Sequence, residues 1–191
     1  MKPQPFKQGK KIEKHFIDSL IAYNSDVSFV RKATTEEDIE KHFDIVFKNN
    51  LTNKNFYVDT KSPSKYGDEY FWVEDRAVYQ PNNFGKERLG SLHGNADWMA
   101  WEMSDHFLLA RRAYLLSLMN TKVDKSNLIL EISASRNPNK YLYKYRGRIR
   151  QNGEERGDRC SLFKVCDLDK KHYRKIPTLK SKSINFINEL F

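Results

Sequence analysis

Three acids and one lysine fall in the first third of this 191-residue chain at positions that could serve a single reaction: Glu13, Asp44, Asp59 and Lys61. Asp44 sits inside the apolar run His42-Phe43-Asp44-Ile45-Val46-Phe47, and Asp59-Thr60-Lys61 ends the run that begins Phe56-Tyr57-Val58. If those runs pair as neighbouring strands, both carboxylates converge on one point. A hard cation such as Mg²⁺ or Mn²⁺ takes just such oxygen ligands and keeps several of its waters. It would clamp a phosphodiester and lower the pKa of a bound water, while Lys61 orients that water or stabilises the charge that develops on phosphorus. Glu13 would reach such a site through a second metal or a water. The alternative makes Asp44 and Asp59 strand-edge acids and Lys61 a solvated neighbour. Against it, an acid flanked by Phe43, Ile45, Val46 and Phe47 is costly to desolvate unless it is paired or metal-bound.

These residues need a helix and two strands to position them. Residues 9–23 carry Ile12, Phe16, Leu20 and Tyr23 at helical spacing, with Glu13 beside that stripe. Thr34 three residues before Glu37 is a capping-box signal for a short acidic helix. Residues 42–47, 56–61 and 69–73 read as three strands of a meander. Residues 75–95, rich in Asn, Gly and charge, read as a long, substrate-facing irregular stretch. Beyond it, the sequence predicts a hairpin over ADWMAWEM and FLLA, a helix over 112–119, strands near 128–132 and 161–165, and a last helix over 181–190. The expected fold class is α/β, one domain over 1–191, with a mixed central sheet and an antiparallel meander flanked by helices.

Composition narrows the partners. Hydrophobic residues make up 39% of the chain, enough for a core without disulfides. Cys160 and Cys166, five apart, match neither a redox pair nor half a zinc site. No apolar stretch is long enough to span a bilayer and the N-terminus lacks a secretory apolar region, so a cytoplasmic, non-membrane protein is expected. Thirty-four basic against 25 acidic residues give a net charge of +9, and residues 140–182, with 14 basic and five acidic side chains, hold a surplus of nine. Lys144, Arg146, Arg148 and Arg150 alternate there with Tyr141, Tyr143 and Tyr145, a pattern suited to a polyanion, although a solubilising surface has the same composition.

The ordered set of helix glutamate, strand aspartate and strand-ending Asp-x-Lys resembles the PD-(D/E)XK nuclease superfamily, including phage-type and Holliday-junction-resolvase-like members. Gly9-Lys10-Lys11-Ile12-Glu13 is similar to its first-helix turn, His42-Phe43-Asp44-Ile45 to its first metal aspartate and Val58-Asp59-Thr60-Lys61 to its (D/E)-x-K strand; the strand-turn-strand-helix after Gly94 extends the likeness to about residue 120. No proline precedes Asp44, where the family often has one. The resemblance implies a restriction-endonuclease-like sheet, metal ligation by Asp44, Asp59, the Thr60 carbonyl and Glu13, and Lys61 as catalytic lysine. It also implies Mg²⁺ or Mn²⁺ as cofactor and DNA as partner, cut internally at branched or nicked structures. Homodimers and phage-encoded chains acting in a host cytoplasm are familiar in this group. An RNA endonuclease and a non-catalytic nucleic-acid-binding protein on the same scaffold are the competing readings. Asp169-Lys170-Lys171 meets the bare acid-x-Lys pattern without a strand before it, and Asp97 and Glu102 are the next acids in line.

Overall fold

A computed structural model describes residues 4–63, 67–79, 87–129, 142–149 and 155–179. The chain begins with helix α1 (Gln4–Tyr23), strand β1 (Val27–Lys32), helix α2 (Thr35–Lys41) and the hairpin β2 (Ile45–Asn49) and β3 (Lys54–Lys61). Then come β4 (Tyr70–Tyr79), β5 (Glu87–Leu89), the hairpin β6 (Trp98–Glu102) and β7 (His106–Arg111), and α3 (Arg112–Lys122). Strands β8 (Asp124–Ile129), β9 (Leu142–Ile149), β10 (Glu155–Lys164) and β11 (Tyr173–Pro177) complete it.

Two sheets result. The first has the order β1-β2-β3-β6-β7-β11, antiparallel throughout except where β3 lies parallel to β6. The second has the order β5-β4-β10-β9-β8. The molecule is thus α/β, with a mixed, mostly antiparallel central sheet flanked by helices. Strands β6 and β7 are apolar on both faces, so they must be covered on both. Ala100, Phe107 and Leu109 pack with Ile12, Phe16 and Leu20 of α1, while Met99, Trp101, Leu108 and Ala110 pack with α3 and with Phe71, Val73 and Phe163 of the second sheet.

The three-strand meander is corrected. The strand near residues 69–73 leaves β3 and founds the second sheet, because Phe71 and Val73 alternate with half-exposed Tyr70, Trp72 and Glu74. Such a one-sided strand suits a covering layer, whereas the doubly apolar β6 suits the interior edge of β3. Asp97 fixes that choice: its amide donates to Tyr57 O and its carboxylate accepts from Tyr57 N, both at 2.9 Å. The stretch 75–95 is likewise less irregular than expected, since β4 runs to Tyr79 and β5 returns against it. Tyr23, placed by spacing on the buried stripe of α1, is 51% exposed at the helix end. Helix α3 runs to Lys122, and β11, unforeseen, caps the sheet beside β7. The helix expected over 181–190 lies outside the described residues.

Candidate active site

Asp59 and Lys61 end β3 on the face turned toward the second sheet, because Val58 and Thr60 take the alternate face toward α1. Asp59 is 4% exposed and its Oδ2 lies 2.8 Å from Lys61 Nζ. Asp44 immediately precedes β2, where the β2–β3 ladder ends at the Ile45–Val58 pair, so it lies close to the end of β3 that carries Asp59. Its backbone spans both neighbours: Asp44 N donates to Val58 O at 2.9 Å, and Asp44 O accepts from Ala33 N at 2.7 Å. Its side chain is held as firmly, since Asp44 Oδ2 accepts from both the amide and the hydroxyl of Thr60, each at 2.6 Å. The two runs pair as the sequence required, and both acids with the lysine arrive at one end of one hairpin.

The electrostatics follow from that crowding. Burial pushes the Asp59 carboxyl up to about 8; Lys61 pulls it back, and the negative charges of Asp44 and Glu74 add to the rise. Burial works against the Lys61 ammonium, but Asp59, Glu74 and Asp44 outweigh it and hold the group above its ordinary range. Lys61 is therefore a fixed cation at neutral pH. Asp38, on α2, is exposed, yet enough protein surrounds it to raise its carboxyl; Asp44 and Glu13 add to the rise and Lys61 opposes it. Glu74 and Asp38 are thus members of the cluster that spacing alone did not reveal. Asp38 lies in the helix that the capping box announces, and Glu74 stands just before Asp75, where the register between β4 and β10 shifts.

Glu13 approaches from α1 but its carboxylate is paired with Lys32 Nζ at 2.7 Å. Among the described residues, the one group of three His, Cys, Asp or Glu side chains with ligand atoms within 4.8 Å of one another is Asp68, Asp105 and His106, elsewhere in the molecule. Asp44, Asp59 and Glu13 are more widely spread than that. The donor set still fits a hard dication: it is all oxygen, and two carboxylates with water and substrate oxygens are what Mg²⁺ commonly takes. A cation would also relieve the cost of ionising buried Asp59.

The other acids have structural partners. Asp97 locks β3 to β6, Glu102 accepts from His15 Nδ1 at 2.8 Å, and Asp169 caps the short turn at Lys170–His172. His93 Nε2 and Lys125 Nζ both donate to buried Asp75, at 2.8 and 3.1 Å. Cys160 is buried and Cys166 exposed, both as free thiols. Of the basic group, Lys144, Arg146 and Arg148 lie on β9, opposite Cys160, Asp158 and Arg156 of β10, and Arg150 lies outside the described residues. No helix of the described residues is long and apolar enough to cross a membrane. No protein-family model, curated protein or solved structure matches this chain.

Proposed function

We propose that this chain is a divalent-metal-dependent DNA endonuclease built on a restriction-endonuclease-like sheet. One observation carries the reading: Asp59, buried and paired with Lys61, ends β3 beside an Asp44 whose backbone and carboxylate are both tied down. Mg²⁺ or Mn²⁺, when bound, supplies Lewis-acid polarisation of the phosphodiester and an acidified water. The chain supplies the rest. Asp44 and Asp59 hold the cation, with the Thr60 carbonyl and Glu13 as the further ligands that the resemblance implies. The two Thr60 donors hold the Asp44 carboxylate in place at the end of β3, so little reorganisation is needed when substrate arrives.

Lys61 stays protonated among its acidic neighbours, so its role is to orient the attacking water and to stabilise charge on the phosphorane, not to remove a proton. Asp38 and Glu74 strengthen the attraction for a dication and repel bare phosphate, which gives the cation a second role as the bridge that admits DNA. The basic segment 140–182 would supply the affinity for the backbone.

The test is incubation with supercoiled, linear, single-stranded and four-way-junction DNA, and with RNA, in Mg²⁺, Mn²⁺, Ca²⁺ or EDTA. Nicking or linearisation is expected in Mg²⁺ or Mn²⁺ and not in Ca²⁺ or EDTA. Cleavage that persists in EDTA contradicts the metal chemistry. Tight binding indifferent to EDTA with no cleavage would make the chain a binding protein, and cleavage restricted to RNA would change the substrate.

A further inference from the structure

At the opposite end of the first sheet, between the C-terminal end of α1 and the strand ends, lies a cavity of about 500 Å³. Lys54 opens β3 there and Lys61 closes it, about 23 Å apart along the strand, and the residues that line the cavity include none of the acidic cluster. Its floor is apolar and aromatic, with Phe56, Trp98 and Ile176 among the residues that line it. Its charged residues are Lys54, Arg111 and Arg174, and no carboxylate contributes to the wall. The other polar side chains are uncharged: three asparagines and a threonine.

The guanidinium of Arg111 lies over the Trp98 ring, 5.1 Å from its centroid. Arg174 donates from Nη1 to the carbonyls of Lys170 and Tyr173, at 3.1 and 2.7 Å. Among the described residues, none of the three cations is paired with a carboxylate, whereas Lys14, Arg31, Lys32 and Lys61 each are. Three cations lining one cavity with an aromatic floor suit an anion joined to a flat apolar body, and amides on the wall can read the polar edge of that body.

We propose that this cavity binds a nucleoside phosphate, with the base against Phe56 and Trp98 and the phosphate among Lys54, Arg111 and Arg174. The shared chemistry has two sources, a free nucleotide or an unpaired nucleotide of a strand. Both fit the volume, which is ordinary for a small-ligand site.

Quenching of Trp98 fluorescence, read in a Trp72→Phe background because Trp72 is half-exposed while Trp101 is buried, reports occupancy of the cavity that Trp98 lines. Titration of the full chain in EDTA with deoxyadenosine, dAMP, dATP, inorganic phosphate and an octamer of deoxyadenylate should show saturable binding of the nucleotides. Deoxyadenosine should bind about tenfold more weakly than dAMP, and Lys54→Ala and Arg174→Ala should each weaken dAMP about tenfold, the scale of one charge-assisted contact. Tighter binding of the octamer than of dAMP assigns the site to a strand, and the reverse assigns it to free nucleotide. Asp59→Asn and Lys61→Ala should leave this binding unchanged, so its outcome and that of the cleavage test are separable. Lys54 is exposed, so its variant should fold, with circular dichroism as the check. Absence of nucleotide binding overturns the proposal, as does phosphate binding as tight as dAMP or nucleotide affinity indifferent to both variants.

Discussion

Asp59 and Lys61 share one pair but should fail in different ways when altered. Asp59→Asn removes charge and a donor from the cation, so Mn²⁺ affinity measured by calorimetry should fall steeply. Lys61→Ala removes a neighbouring positive charge, so Mn²⁺ affinity should hold or rise slightly. The same crowding makes the metal-free protein sensitive to pH. With the folded Asp59 carboxyl near 8 and the unfolded one at its ordinary 3.8, the folded chain keeps a proton that the unfolded chain releases across that window. The stability from this group is therefore full below about pH 4 and declines as pH rises toward 8. Melting in EDTA should show that decline, and Asp59→Asn should flatten it and melt higher at pH 8, where each kcal/mol is worth about 2–4 °C for a chain of this size. A wild-type profile flat from pH 5 to 8 would show that Asp59 is ionised without cost.

The elements that deliver the acids are held by a few local devices, and these differ in how well the sequence announces them. Helix α2 keeps Asp38 over the site through its reciprocal Thr34–Glu37 cap and the Arg31–Glu37 pair at 2.6 Å. Its C-terminal end is pinned by the loop before β6: Asn95 N donates to Lys41 O at 2.7 Å, and a Cβ on Gly94 would lie 2.5 Å from His42 Cβ. Gly94→Ala should thus destabilise the protein by about 1–3 kcal/mol in denaturant titration and lower cleavage by loosening α2. Wild-type stability in that variant would mean that the loop can shift freely. The capping box, α1, the β2–β3 hairpin and the β6–β7 hairpin were all legible, because each is written in local spacing or in a run between turn residues. The departure of β4 to a second sheet, the edge strand β11, and the inclusion of Glu74 were not. They depend on which long-range partner covers which face, and alternation along β4 orients Glu74 without saying that the acidic cluster lies on that side. Of the site, Asp44, Thr60, Asp59 and Lys61 were legible from order and context, whereas the engagement of Glu13 by Lys32 depends on where β1 lies against α1.

For the whole molecule, the acidic cluster and the positive net charge impose a division of labour. On the proposed reading, DNA is attracted by cations that lie away from the carboxylates, and the surplus in residues 140–182 is the sequence's main reserve of them. Replacing Arg146, Arg148 and Arg150 by Ala should weaken DNA binding and flatten its salt dependence by up to about 0.9 log unit per lost phosphate contact. An unchanged slope would mark the segment as a solvated face only. The ratio of nicked to linear plasmid also reports assembly, since a homodimer can cut both strands in one encounter and a monomer cuts one. The most direct measurement is a plasmid-cleavage time course in Mn²⁺ with wild type, Asp59→Asn and Lys61→Ala, all three verified as folded by circular dichroism, with Asp68→Asn as a control outside the cluster. Wild type and Asp68→Asn should cleave alike, and the other two should fall by at least about a hundredfold, the scale of losing one transition-state stabilising group. Near-wild-type cleavage by Lys61→Ala would contradict a catalytic centre at the end of β3.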